Sequence, residues 1–309
     1  MTDEGGEFDF IRRLAEHIGP APDGQVGIGD DAAVLADGTV VAVDTLVDGR
    51  HFSLRWTDPE DVGWKALAVN LSDLAAMGAE PTAALAAVTL PPGHPGLADR
   101  LAEGLLDGAA AHGCPLMGGD TTSGPVLVVT VTVLGRVPDG GPPVLRRGAR
   151  PGDGIYLTGL IGAAAGALDA LAADHMPAPD HARALRRPRP RLAEGRAAAI
   201  GGATAMIDVS DGLTADLGHL LDASSVGATV DGAAIPIAHD VGFERAVSGG
   251  DDYELCFTAP DERRLAESFS SAQAAQPTRI GTITDGDRTL VYGGERTPLP
   301  RSGWTHPVD

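Results

Sequence analysis

Apolar residues recur along this chain with two spacings, one helical and one typical of strands. The spacing over 9–18 predicts a helix. A longer helix is predicted over 59–78, with a proline near its start and Gly78 at its end. Runs rich in β-branched residues predict strands at 39–47, 82–90 and 126–137. This mixture of helices and strands predicts an α/β or α+β fold.

Length and local composition predict two domains. The chain has 309 residues, which exceeds one typical domain. Glycine, proline and arginine are concentrated over 139–154, where the apolar periodicity stops. We therefore predict an N-terminal domain at 1–148 and a C-terminal α/β domain at 149–309. The irregular stretch 175–195 is predicted to be a surface loop that leads into a helix over 190–200, with a substrate lid as the alternative.

Charge and cysteine content exclude several classes of partner. The formal net charge of -20 disfavours nucleic acid and anionic membrane surfaces. No apolar stretch is as long as a membrane span, and the N-terminus lacks the pattern of a secretory signal, so a cytoplasmic location is predicted. Cys114 and Cys256 do not form a CxxC pair and are predicted to be reduced packing residues.

Two adjacent carboxylates, Asp30 and Asp31, lie in the glycine-rich segment GIGDDAAV at 27–34. Its start matches the G-x-G-x-x-A pattern of dinucleotide-binding loops, but the context is wrong for that fold. No strand precedes it, a strand–turn–strand pattern follows it, and aspartates would repel a pyrophosphate. A P-loop is also excluded, because the chain lacks G-x-x-x-x-G-K-[ST] and its single lysine, Lys65, lies in a different context.

Further aspartates lie at the predicted ends of strands and starts of helices, where α/β folds collect functional groups. The full set is Asp30, Asp31, Asp44, Asp73, Asp120, Asp208 and Asp211. Taken singly, each is more often a cap or turn residue than a ligand. Asp73 is the exception, because it lies within a predicted helix among apolar neighbours, where a carboxylate is costly without a partner.

If several of these carboxylates converge, their mutual repulsion requires cations. Oxygen ligands without histidine or cysteine favour Mg²⁺ or Ca²⁺ over Zn²⁺, and the sequence contains no EF-hand spacing. Mg²⁺ commonly bridges carboxylates to phosphates. The pattern therefore predicts an acidic magnesium site for a polyphosphate substrate.

Six motifs occur in one order through nearly the whole chain: GIGDDAAV, DTLVDGRHF, NLSDLAAMGAEP, MGGDTT, IDVSDGL and SGGDDYELCF. In this combination the sequence resembles the thiamine-monophosphate kinase family, of the superfamily shared with aminoimidazole ribonucleotide synthetase. The resemblance implies the two-domain α/β (α+β) fold of that superfamily, with N-terminal strands forming a barrel across a homodimer. It also implies that thiamine monophosphate is phosphorylated to thiamine diphosphate with ATP and several Mg²⁺ ions, bound mainly by the N-terminal domain.

The resemblance also implies roles for individual residues. Positions that resemble magnesium ligands are Asp30, Asp44, Asp73, Asp120, Asp208 and Asp211. Positions that resemble nucleotide contacts are Gly119, Asp120, Arg146, Ser210 and His112, with Arg147 as the competitor of Arg146. Positions that resemble substrate contacts are His51, Asp251 and Trp304. Asp44, Asp120 and Arg146 are expected to act directly in catalysis.

Some positions leave alternatives open. The family usually has Glu-Asp where this chain has Asp251-Asp252, which shortens the first acidic side chain by one methylene. Before Asp44 the family often has hydroxyl residues, whereas this chain has Ala42 and Val43, so the number of bound metal ions is open. His51 could simply finish a strand. The tryptophan in SGWTH could anchor the tail.

The implied reaction needs no catalytic base, because the acceptor phosphate is already ionised at neutral pH. Catalysis is expected to depend on positioning and on charge neutralisation by Mg²⁺ and Arg146. Another ATP-dependent synthetase of the superfamily and a non-catalytic nucleotide or metal sensor are the alternatives. No cysteine precedes Cys114, which disfavours a selenophosphate synthetase, and DTLVDGRHF and SGGDDYEL disfavour an aminoimidazole ribonucleotide synthetase.

Overall fold

The computed structural model describes residues 6–305, and its N-terminal half is built on a five-stranded sheet. The strands lie in the order β1-β2-β5-β3-β4, and neighbours are antiparallel except β3 and β4. Their bounds are β1 (Ala33–Val34), β2 (Val40–Val47), β3 (Glu80–Leu90), β4 (Leu116–Ser123) and β5 (Val128–Arg136). The helices of this half are α1 (Glu7–Ile18), α2 (Pro59–Ala76) and α3 (Leu97–His112).

The C-terminal half is built on a seven-stranded sheet in the order β12-β11-β8-β10-β6-β9-β7. Its strands are β6 (Gly154–Leu157), β7 (Ala205–Val209), β8 (Gly227–Asp231), β9 (Glu254–Ala259), β10 (Thr278–Thr284), β11 (Arg288–Tyr292) and β12 (Glu295–Pro298). Its helices are α4 (Ala163–Ala172), α5 (Pro179–Arg186), α6 (Leu192–Gly201), α7 (Leu213–Ser224), α8 (Phe243–Ser248) and α9 (Glu262–Ser271). The fold class expected from the sequence is confirmed. The division at residues 148 and 149 stays a prediction.

Two local expectations were incomplete or wrong. Asp120, in the MGGDTT motif, lies within strand β4 and not at the end of a strand or the start of a helix. The segment 175–195 is not only a loop, because α5 forms inside it. Proline at the first helical position and arginines in the last turn favour this helix, and burial of His181 and Leu185, four residues apart, gives it a packed face.

Helix α2 connects the two halves. It is buried on nearly every side, because it packs against α3 and the first sheet and also against α6 and β7. Its close approach to α3 depends on glycine: a Cβ atom at Gly104 would lie 1.8 Å from the Glu60 carbonyl oxygen. Near its C-terminal end, Ala75 and Ala76 enter a core cluster with Phe257 of β9. This end of α2 therefore lies at the junction of both halves.

Strand β4 forms an open edge of the first sheet. Seven of its eight residues are exposed. In contrast, residues 128–135 of β5, two strands away, alternate between half-buried and buried. Large apolar side chains are exposed in this half as well, including Val43, Leu85 and Met117. Among residues 6–305, no helix combines the length and apolar character needed to cross a bilayer. Both cysteines are buried and unbridged, as expected.

Candidate active site

Three of the predicted aspartates converge where α2 meets β7. Asp31, Asp73 and Asp208 each offer a carboxylate oxygen within 4.8 Å of the others, and we call them the carboxylate trio. Asp31 lies in the loop before β1, Asp73 in the last turn of α2, and Asp208 next to the end of β7. Ser72 donates a hydrogen bond of 2.6 Å to Oδ2 of Asp208. The fold thus brings together residues that are far apart in sequence.

The trio is electrostatically unfavourable without a cation. Burial, then the charge of Asp31, raises the pKa of Asp208 to about 8. Burial, then the charge of Asp44, raises the pKa of Asp73 well above its ordinary value. The position of Asp73 at a helix C-terminus adds to this, because the helix dipole disfavours an anion there. Oδ2 of Asp31 is buried and has no hydrogen-bond partner in the described part of the chain.

Arg146 is the cation that faces the trio. Its guanidinium donates to Oδ1 of Asp31, from Nη2 at 2.8 Å and from Nε at 3.3 Å. Its backbone N–H donates to Oδ1 of Asp30 at 3.0 Å. Arg147, the sequence competitor, is exposed. The geometry therefore favours Arg146 for the role that the sequence left between the two arginines.

Asp30 and Asp31 differ in position. Asp30 holds the backbone of Arg146 and accepts the N–H of Asp31, whereas Asp31 enters the trio. Burial, then the charge of Asp31, raises the pKa of Asp30 to about 6 despite the hydrogen bond from Arg146. Asp31 is thus a candidate ligand that the family motif did not assign, although the double aspartate signalled it. The assignment of Asp30 as a ligand stays a prediction.

Asp44 adjoins the trio from β2. Its backbone N–H donates to Oδ1 of Asn70 at 2.8 Å, and Asn70 is fixed in turn by a 2.9 Å hydrogen bond to the Ala66 carbonyl. The charge of Asp44 contributes to the raised pKa values of both Asp73 and Asp208. Asp44 is exposed, so this side of the cluster is open to a ligand.

The turn between β7 and α7 carries Ser210 and Asp211. A buried residue that the sequence did not single out, Asp216, accepts the N–H groups of Asp211 and Gly212 at 3.1 Å and 3.0 Å. Burial, then the charge of Asp211, raises the pKa of Asp216 well above its ordinary value. The signal for Asp216 was its place in the first turn of a helix, where carboxylates cap free N–H groups.

Two predicted substrate contacts lie against this same turn. The N–H of Asp251 donates to the Ser210 carbonyl at 2.7 Å, and the N–H of Trp304 donates to the Asp211 carbonyl at 2.9 Å. Asp251 adopts a left-handed φ of 66°, which is uncommon for a non-glycine residue. The indole of Trp304 is 51% exposed.

Lys65 is a residue of the site that sequence reasoning missed. Its Nζ lies 2.5 Å from Oδ2 of Asp251, and Lys65 is 2% exposed. The available signal was that the only lysine of the sequence directly precedes the apolar run 66–69 of a predicted helix, where a buried charge requires a partner.

Asp120 and Gly119 lie apart from the trio within one chain. In the sheet, Asp44 and Gly119 are in cross-strand register across β2, β5, β3 and β4. Three strand spacings, about 14 Å, separate them. Asp120 is the next residue along β4, so its side chain points to the opposite face from that of Asp44. Gly119 has a packing role here, because a Cβ would lie 1.7 Å from the Ala86 carbonyl oxygen.

The two predicted histidines also lie outside the trio. Nδ1 of His51 accepts the N–H of Val47 at 3.0 Å, at the end of β2. His112 packs edge-on against Trp64, with ring centroids 5.3 Å apart. Trp64 precedes Asp73 by nine residues on α2, about 13 Å along the helix. The roles of His51 and His112 stay predictions.

Comparisons with known proteins identify the family of this chain. Two family models match, the N-terminal domain of AIR synthase related proteins over residues 29–137 and the C-terminal domain over residues 150–293. A thiamine-monophosphate kinase of Escherichia coli (strain K12) is 39% identical over 97% of this chain and 98% of its own length. One from Bacillus subtilis (strain 168) is 34% identical over 97% and 99%.

Solved structures of the same family resemble this chain over nearly its whole length. AaThiL complexed with AMPPCP and TMP is 28% identical, with a TM-score of 0.84 over 99% of this chain and 98% of that one. A thiamine-monophosphate kinase from Stenotrophomonas maltophilia K279a is 39% identical, with a TM-score of 0.76 over 93% and 95%. The chain belongs to the thiamine-monophosphate kinase family, within the AIR synthase related proteins.

Proposed function

We infer that this protein is a kinase that transfers the γ-phosphoryl group of ATP to thiamine monophosphate and so forms thiamine diphosphate. The observation that carries this function is the carboxylate trio beside Arg146, in a chain of this family. The trio offers ligands for cations that accompany a polyphosphate, and Arg146 offers a planar set of donors to phosphate oxygens.

The residues fit Mg²⁺. The trio supplies only oxygen ligands, two of its pKa values are raised by burial and like charge, and one buried oxygen of Asp31 has no hydrogen-bond partner within residues 6–305. We propose that Asp31, Asp73, Asp208 and Asp44 would hold the metal, with Asp30, Asp211 and Asp120 as further candidates. Bound Mg²⁺ would neutralise charge on the phosphates of the two substrates.

The chain's own groups then have separate tasks. Arg146 is anchored by Asp31 through two of its N–H groups, which leaves others to contact phosphate at the open side of the site. Asp251 and Trp304, held against the turn at Ser210 and Asp211, would bind the thiazolium cation and cover the flat rings. No residue needs to remove a proton, because the acceptor oxygen is already ionised.

We further propose a homodimer in which Asp120 serves the partner's site. The open edge of β4 and the exposed apolar residues on the first sheet support this, because such surfaces are normally covered. Within one chain Asp120 lies across the sheet from Asp44, so a second copy is the simplest source of an Asp120 near that carboxylate. We also propose action in the cytoplasm, where ATP is supplied.

The function is tested by product analysis with ATP, Mg²⁺ and thiamine monophosphate, using thiamine and buffer alone as controls. Thiamine diphosphate is expected only with the monophosphate, and a chelator should abolish its formation. ATP binding without any product would favour a sensor instead. Formation of ADP without thiamine diphosphate would favour a synthetase with another acceptor.

A further inference from the structure

A second cluster of potential ligands lies outside the site described above. Asp180 and His181 begin helix α5, and His239 lies in the segment before α8. Each offers one ligand atom, and the three atoms lie within 4.8 Å of one another. The cluster uses none of the elements that supply the carboxylate trio. Its two imidazoles give it a different chemistry from that all-oxygen site.

His239 is oriented by carboxylates on both sides. Its Nε2 lies 3.0 Å from Oδ2 of Asp180, and its Nδ1 lies 3.1 Å from Oδ2 of Asp240. A metal-bound histidine commonly directs its second ring nitrogen to a carboxylate in this way, which fixes the tautomer and the ring orientation. Asp240 would therefore be the outer partner, with Nε2 and Asp180 facing the ion.

His181, the other histidine of the cluster, is buried and also points to a bound ligand. It is 5% exposed, and its Nε2 is buried with no hydrogen-bond partner among the described residues. Its ring stacks on that of His239, with centroids 4.5 Å apart. A buried imidazole nitrogen without a partner is costly. The hydrogen bonds of His239 to its two carboxylates do not by themselves explain why His181 is buried beside it with an unpartnered nitrogen among the described residues.

We propose that Asp180, His181 and His239 form a binding site for a divalent transition metal of the Zn²⁺ type. Two neutral imidazoles and one carboxylate are a familiar set of zinc ligands, and they favour Zn²⁺ over Mg²⁺. Asp180 and Asp240 together offset the charge of the ion. The side chains of Asp180 and His239 are 64% and 56% exposed, so both can adjust to the short bonds that a metal requires.

The site would be structural. It joins the start of α5 to the segment before α8, and the residues after α5 are tied to α2 by hydrogen bonds from Trp64 to the Pro188 carbonyl and from Arg187 to Asp61. A bound ion would therefore stiffen a segment that packs on the central helix. It would raise the unfolding temperature without taking part in phosphoryl transfer.

The test is equilibrium dialysis of the chelator-treated protein against Zn²⁺, with excess Mg²⁺ present to compete at the carboxylate trio. His239→Ala and Asp180→Ala remove exposed ligands, and His94→Ala is the matched control at an exposed histidine in the N-terminal half. The wild type and the control are expected to bind one Zn²⁺ tightly. The two ligand variants should bind it at least about tenfold more weakly.

Co²⁺ gives a second readout. Its visible absorption should show nitrogen and oxygen coordination in the wild type and should lose intensity in His239→Ala. Equal Zn²⁺ binding by the wild type and both ligand variants would overturn the proposal, since the ion would then lie elsewhere. Failure of the wild type to bind Zn²⁺ in the presence of Mg²⁺ would also overturn it.

Discussion

Lys65 and Asp251 form an ion pair that connects the central helix to the turn before β9, with Nζ and Oδ2 2.5 Å apart. Lys65 is 2% exposed, whereas the side chain of Asp251 is 29% exposed. The pair therefore holds one oxygen of a predicted substrate contact in place from the buried side. It also couples the two halves of the molecule beside the turn that carries Ser210 and Asp211.

Lys65→Met is expected to destabilise the protein by about 3 kcal/mol, because it leaves the inner oxygen of Asp251 without its charge partner. The free energy of unfolding in urea measures this effect. The double variant Lys65→Met/Asp251→Asn should recover much of the loss, since no unpaired charge then remains. Equal stability of Lys65→Met and the wild type would contradict a stabilising role for the pair.

Arg146→Gln is expected to lower kcat/KM for phosphoryl transfer by roughly 10² to 10³, because it removes the guanidinium that faces the trio. Arg147→Gln is the matched control, since its side chain is adjacent in sequence but exposed. It should change kcat/KM by less than about threefold. Steady-state assays of both variants separate the two arginines, and a larger loss in Arg147→Gln would reverse the assignment.

The metal-free protein is expected to lose stability as pH rises from 4 to 8. The folded protein raises the pKa of Asp30 to about 6 and that of Asp208 to about 8, both above the ordinary value of 3.8. A raised carboxyl pKa stabilises the fold below the unfolded value, and this contribution disappears as pH passes the folded value. The unfolding temperature in chelator should therefore fall, by about 5 °C between pH 6 and 8.5.

Mg²⁺ should reduce this fall, because a bound cation stabilises the ionised carboxylates. Asp208→Asn should also flatten the curve in chelator, since it removes a trio carboxylate whose pKa is raised to about 8. A Tm that rises with pH in chelator would contradict the electrostatic account of the trio.

Asp44→Asn and Asp120→Asn are each expected to abolish turnover. If Asp120 acts on the partner's site, a mixed dimer of one Asp44→Asn chain and one Asp120→Asn chain should regain activity. A mixed dimer then has one site with both changes and one intact site. Co-expression with random pairing should therefore give about a quarter of wild-type activity. If Asp44 and Asp120 served the same chain's site, every mixed dimer would be inactive, and activity assays of the purified mixture would show none.

The sequence by itself determined the fold class, the family and most members of the acidic site. These follow from local patterns: the helical period over α2, the β-branched strands, and aspartates at their ends. The helix α5 was missed because its buried face has only two residues, His181 and Leu185, and prolines surround it. Such a short pattern cannot be distinguished from a loop before packing is known.

Only the tertiary structure decided which charges face one another. Asp31 rather than Asp30 enters the trio because the loop before β1 directs Asp30 to the backbone of Arg146. Lys65 became part of the site only when α2 was packed against the turn at Asp251. The pairing of charges far apart in sequence depends on how the elements pack, and periodicity along one segment carries no information about its distant partner.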